Sequence, residues 1–76
     1  MRFPKGTDPT NADRAKWARA AVKEFQRQTG TEDQHAVTDL VCDLMHLCDQ
    51  HAVIFGTFAD ALRRAGLHFA EEREEG

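Results

Sequence analysis

Apolar residues in the segment 32–51 recur with the period of an α-helix, and this pattern constrains the fold more than any other sequence feature. One face of such a helix carries Val37, Leu40, Val41, Leu44, Leu47 and Cys48. The other face carries Asp39, Asp43, His46, Asp49 and Gln50. Thr31 and Gln34, three residues apart, have the pattern of a capping box. The segment therefore predicts an amphipathic helix over residues 32–51.

A second amphipathic helix is predicted over residues 11–29. Thr10 and Asp13 form a candidate capping box, and Gly30 is a typical residue just beyond a helix C-terminus. The predicted apolar stripe consists of Trp17, Ala18, Ala21, Val22 and Phe25. Lys16, Arg19, Lys23 and Arg27 recur roughly opposite that stripe, and we call them the basic stripe.

A third helix is predicted over residues 57–73, with Thr57 as its cap. Its apolar stripe consists of Phe58, Leu62, Ala65 and Phe69. The glutamates near its end oppose the helix dipole, so residues 74–76 are expected to form a frayed acidic tail. Residues 52–56 read as a short apolar connection from which Val53 and Phe55 fold back onto the core.

These segments predict an all-α protein, a small antiparallel three-helix bundle spanning residues 10–73. Pro4, Gly6 and Pro9 favour a flexible lead over residues 1–9. A chain of 76 residues buries only about 60% of the surface exposed by its unfolded form. We therefore expect dimerisation to complete the bundle.

The sequence favours a reducing, cytoplasmic location. No apolar run approaches the ~18 residues needed to span a membrane, and the N-terminus lacks the apolar stretch of a secretory signal. Cys42 and Cys48 lie six residues apart in one predicted helix, which separates them by about 9 Å along its axis. That separation is beyond disulfide reach.

Catalytic and cofactor motifs are weak, so the sequence predicts a non-enzymatic protein without a cofactor. The chain contains no serine and no Gly-rich phosphate loop. Cys42 with His46 and Cys48 with His51 offer zinc ligand types. The two pairs lie on opposite sides of the predicted helix, so a single ion could not bind both, and no metal site is predicted.

Charge is distributed unevenly along the chain, whose net charge is −3. Residues 1–30 hold seven Lys/Arg against three acids, a net of +4, and residues 31–76 hold three arginines against ten acids, a net of −7. The basic stripe could follow the phosphates of a nucleic acid. The negative overall charge opposes such binding, so a nucleic-acid accessory role is an alternative and a protein partner is favoured.

Trp17 beside Arg14 combines two residue types that dominate protein interfaces. The alternative is that Trp17 belongs to the core and the charged residues are solvated helix faces. The residues predicted to bind a partner are Arg14, Lys16, Trp17, Arg19, Lys23, Arg27, Asp39, Asp43 and His46.

Several motifs resemble a group of small uncharacterised helical proteins of bacteria, phages and plasmids. The matching residues are Trp17 to Gly30, Asp39 to His51, Phe55, Ala61 to Ala65 and His68 to Glu72. That group carries Asp-Leu-Leu-x-Asp-Leu-x-His followed by Arg-Ala-x-x-His-Tyr/Phe. The resemblance implies no particular activity. Small acidic proteins of mobile elements often inhibit host defence complexes, as anti-CRISPR proteins do, so a regulator or inhibitor of a host complex is expected.

A more distant resemblance is to helical nucleoside-triphosphate pyrophosphohydrolases of the MazG type. Asp39 and Asp43 are similar to the Glu-x-x-x-Asp ligand turn of that family, which implies that they would hold Mg²⁺. The family's earlier Glu-x-x-Glu pair has no counterpart, because Glu24 stands alone in the first predicted helix. A reduced enzyme of this type is the alternative function.

Overall fold

The computed structural model describes residues 8–75, with side chains through residue 74. This part of the chain is all-helical and has no strand, as predicted. The helices are α1 (Asn11–Thr29), α2 (Asp33–Gln50), α3 (Ala52–Phe55) and α4 (Phe58–Glu75). The lead predicted for residues 1–9 lies mostly outside the described range, and so does Gly76 of the predicted tail.

Helix α1 begins and ends as the sequence predicts. The Thr10 hydroxyl accepts the Asp13 backbone N–H at 3.1 Å, and the Asp13 carboxylate accepts the Thr10 N–H at 3.0 Å. At the other end, Gly30 adopts a left-handed conformation with φ of 76°. Its N–H donates to the Gln26 carbonyl at 2.7 Å. Glycine suits this position because a Cβ atom would strain that conformation.

The start of α2 differs from the prediction. Glu32, rather than Thr31, is the N-cap residue, and no side chain caps this helix, so the predicted Thr31–Gln34 capping box is wrong. The Thr31 hydroxyl is hydrogen-bonded to the Thr29 hydroxyl instead. Gln26 of α1 donates to the Thr31 carbonyl and to the Asp33 carboxylate. The connection is therefore held by a side chain of α1.

The predicted connection at residues 52–56 contains the single helical turn α3. The N–H groups of Ile54 and Phe55 donate to the His51 carbonyl. Val53 is fully exposed and Phe55 about half exposed, so the expectation that they fold back onto the core is wrong. One turn held by backbone bonds leaves these side chains directed toward solvent.

Helix α4 begins one residue later than predicted and continues through Glu75. The Thr57 hydroxyl accepts the Asp60 N–H at 3.3 Å, which confirms Thr57 as the cap.

The core of the described chain is very small. Ala36, which is 1% exposed, and Cys48 are the buried residues among those whose side chains are described. Helix α2 lies at the centre, in contact with α1, α3 and α4. Most large apolar side chains of its predicted core face remain exposed, and so do Leu62 and Phe69 of α4. The helices form as their periodicity predicts, but they cover each other only in part.

Candidate protein-interaction surface

Large apolar side chains form much of the surface of this protein. The exposed ones among the described residues are Trp17, Val37, Val41, Leu44, Met45, Leu47, Val53, Ile54, Phe55, Leu62, Leu67 and Phe69. Scattered single apolar residues are normal on protein surfaces, whereas a concentration of them marks an interaction site. All three long helices and α3 contribute to this set.

The total accessible surface area is also larger than expected for a folded monomer of this size. The chain exposes 6573 Å², whereas a folded monomer of 8.6 kDa is expected to expose about 4,700 Å². Even if residues 1–7 contributed the surface of an unfolded chain, about 1,200 Å², the rest would exceed its expected area by roughly 1,000 Å². One partner in a standard protein interface buries about 800 Å².

Four of these residues lie along one side of α2, and we call them the α2 strip: Val37, Val41, Leu44 and Met45. Val37 is 65% exposed although the sequence places it on the predicted core face. At ~100° per residue these positions cover an arc of about 100°. The other helices of the chain therefore cover only part of the apolar face of α2.

The α3 turn is the most exposed apolar element. Val53 is 102% exposed and Ile54 is 72% exposed. Beside this turn lies a shallow depression of about 230 Å³ lined by Met45, Cys48, Asp49, Ala52, Thr57 and Phe58. The α3 turn thus extends the apolar surface beyond the end of α2.

A larger cleft, of about 490 Å³, separates the start of α1 from the end of α4. Ala15, Ala18 and Phe69 form its apolar walls. The guanidinium of Arg73 lies over the Phe69 ring, 5.7 Å from its centre, which is within cation–π range. This contact was not predicted from the sequence, although residues four apart on a helix, such as Phe69 and Arg73, are neighbours on its surface.

Arg14 links the start of α1 to the end of α4. Its Nε atom lies 3.2 Å from a carboxylate oxygen of Glu72, and its Nη1 atom donates to the side-chain oxygen of Asn11. The Asn11 amide donates to the Glu72 carbonyl at 2.9 Å. Arg14 was predicted to bind a partner, and the structure places it in this contact between α1 and α4.

The basic stripe divides into paired and unpaired cations. Arg27 forms a hydrogen-bonded ion pair with Glu24, which raises the pKa of Arg27 and, together with Gln28, lowers that of Glu24. Arg19 lies 3.9 Å from Asp33. Lys16 and Lys23 are exposed, and neither has an ion-pair partner within residues 8–74. The lysines are therefore the cations of the stripe left available to a partner.

Trp17 lies on the surface of α1 with 46% of its area exposed. A ring that is about half exposed does not belong to a closed core. Burial of the rest of this ring by a partner would remove further apolar area from water.

The acidic side of α2 carries Asp39, Asp43 and His46, all of them exposed. No group of three or more His, Cys, Asp and Glu side chains comes together to hold a metal ion in the described part of the chain. Glu24 is the single glutamate of α1, where the pyrophosphohydrolase family has a pair, and its carboxylate accepts hydrogen bonds from Arg27 and Gln28. Both cysteines are free, with Cys42 exposed and Cys48 buried.

No protein-family model matches the sequence, and comparisons with curated proteins and with solved structures found no match. None of the described helices is long and apolar enough to cross a membrane. The fold and surface define a small all-helical protein whose helices leave much of their apolar faces uncovered.

Proposed function

We propose that this protein is a non-enzymatic interaction module that binds another protein through part of the apolar surface that its fold leaves exposed, centred on the α3 turn and Trp17. The observation that carries the proposal is the contrast between a core of Ala36 and Cys48 and twelve exposed large apolar residues, among the described side chains. Removing apolar area from water contributes about 25 cal/mol per Å². A partner that covers these side chains would therefore gain affinity from surface that the folded chain does not bury.

The α3 turn and Trp17 are the proposed anchors for a partner protein. Ile54 projects from a single turn, and Trp17 has the residue type most enriched at interface hot spots. Charged residues that have no ion pair in the described chain, Lys16, Lys23, Asp39 and Asp43, would steer the encounter and select the partner. His46 lies beside the two aspartates on α2 and belongs to the same polar surface.

The biological role that fits this proposal is regulation or inhibition of a larger host complex by a protein of a mobile element. Such an inhibitor acts by occupying a surface and needs no active site. The antiparallel arrangement of the three long helices and the completion of the bundle by a second copy belong to the same proposal.

Capture from the source cells tests the proposal. A tagged wild-type protein, crosslinked in the cell, should recover one partner in stoichiometric amount by quantitative mass spectrometry. Ile54→Glu should lose that partner because it places a charge in the apolar contact. Leu67→Glu is the matched control, since Leu67 is similarly exposed but lies on α4, whereas the proposed anchors lie on α3 and α1. Equal recovery by both variants, or no stoichiometric partner at all, would contradict the proposal.

A further inference from the structure

We propose that the α2 strip is the interface with a second copy of this chain, and that the two α2 helices lie antiparallel about a two-fold axis. The inference rests on the proposed function and names one partner of the exposed apolar surface. It uses the α2 strip, whereas the anchors proposed for a different protein are Ile54 and Trp17.

The exposed area is the first argument. The excess of roughly 1,000 Å² over a folded monomer matches the amount that each copy contributes to a stable dimer, about 800 Å². Small single-domain chains with little core are commonly completed by oligomerisation. In a two-fold dimer the same patch serves both copies, so one apolar strip suffices to cover both.

The spacing of the strip is the second argument. Val37, Val41 and Leu44 are separated by four and three residues, which is the spacing of the seam between two packed helices, and Met45 follows Val41 by four. No charged side chain belongs to the strip, so two copies can meet there without bringing like charges together. This self-compatibility favours a second copy over a charged partner on this face.

The dipoles of the two α2 helices favour the antiparallel orientation. Arg19 lies near Asp33, which places part of the basic stripe beside the first turn of α2. The last turn of α2 carries Asp49, which is exposed and has no ion-pair partner within the described residues. Because Arg19 is paired with Asp33 and Glu32 precedes that aspartate, both ends of α2 carry acidic side chains. An antiparallel pair opposes the two helix dipoles, whereas a parallel pair would place their like ends together.

Sedimentation equilibrium at micromolar concentration is the first test. The wild type should have a mass of about 17 kDa, twice its 8.6 kDa. Val41→Glu should sediment as a monomer because two buried carboxylates would face each other across the axis. Leu67→Glu, a charge placed at an exposed apolar position outside the strip, should remain dimeric. Circular dichroism checks that both variants keep their helical content.

Spin labels provide a second test that leaves the strip unaltered. Cys42 is exposed and lies near the middle of α2, so a label on it should be within about 25 Å of its counterpart, given helices packed 8–10 Å apart. A label on His35→Cys, in a Cys42→Ser chain, should lie about 20 Å from its counterpart along the helix axis. Its distance should therefore exceed the Cys42 distance.

The tests separate three claims: that the chain dimerises, that the α2 strip is the interface, and that the two helices are antiparallel. A wild-type mass near 8.6 kDa overturns the second-copy inference and the proposed completion of the bundle, but it leaves the proposed binding of a different protein standing, because the Ile54→Glu test does not depend on dimerisation. A dimer that survives Val41→Glu moves the interface elsewhere and overturns the α2 strip. Equal distances for the two labels overturn the antiparallel orientation. If Val41→Glu loses helical content, the spin-label distances in the unaltered strip decide.

Discussion

The side chains of Thr10 and Asp13 each accept a hydrogen bond from the other residue's backbone N–H at the start of α1. The Thr10 N–H is the main reason that the pKa of Asp13 lies below its ordinary value of 3.8, followed by the Thr10 side chain, with smaller contributions from Lys16 and Arg14. The hydrogen bonds favour the charged carboxylate over its protonated form. A depressed carboxyl pKa contributes stability that is present above pH 3.8 and is lost as the pH falls through the lower value of the folded state.

We predict that Thr10→Ala raises the pKa of Asp13 toward 3.8, because it removes the hydroxyl and loosens the capping box. Lys16→Gln should raise this pKa less, since Lys16 acts only through its charge. Carboxyl chemical shifts followed by NMR between pH 2 and pH 6 measure both. A larger shift in Lys16→Gln would show that charge, not capping, controls this carboxylate.

At the scale of the helices, α2 is the element against which the others pack. Its Ala36 is 1% exposed and so leaves no room for a longer side chain, whereas Ala59 on α4 is exposed. The small size of Ala36 suits this closely packed position on α2. The long helices lie where propensity and periodic pattern favour helix, and packing of their apolar faces adds to their stability.

We predict that Ala36→Leu lowers the free energy of unfolding by about 1–3 kcal/mol, because overpacking forces neighbouring side chains or backbone to shift. Ala59→Leu, the same substitution at an exposed helical position, should change it by less than about 0.5 kcal/mol. Urea unfolding at one fixed protein concentration measures both. Equal effects of the two substitutions would mean that Ala36 is not closely packed in solution.

At the scale of the whole molecule, the distribution of acidic side chains distinguishes an interaction module from a nucleotide pyrophosphohydrolase. A nucleoside triphosphate carries about four negative charges, and its hydrolysis needs metal ions that neutralise them and hold a water in line. Asp39 and Asp43 lie one turn apart on one helix face, and Glu24 on α1 is held by Arg27 and Gln28. The described chain gathers no third acid beside the two aspartates.

We predict that the protein releases no pyrophosphate from any common nucleoside triphosphate in the presence of Mg²⁺ or Mn²⁺. Two aspartates on one turn bind a single ion loosely, and a second pair would have to come from another copy. Phosphate-release assays over a range of protein concentrations test this. Turnover that disappears in Asp43→Asn, with helical content unchanged, would favour the enzyme over the interaction module.

The sequence alone determined where the three long helices lie, because caps, glycines and a 3.6-residue period act over a few neighbouring residues, but it did not predict the single turn α3. The bounds of α1, the left-handed Gly30 and the Thr57 cap all follow from such local signals. The predicted cap at Thr31 is wrong, because the Thr31 hydroxyl is hydrogen-bonded to the Thr29 hydroxyl instead.

Only the tertiary structure decided how much of each apolar face is covered. The periodicity places Val37 and Phe69 on apolar stripes, but it carries no information on whether another helix reaches them. Coverage depends on the crossing of α1 and α4 over α2, which contacts such as Arg14–Glu72 and Gln26–Asp33 help to define. These contacts join residues that are distant in sequence or on different helices, so no short-range pattern specifies them. The extent of the exposed apolar surface therefore follows only from the arrangement of the helices.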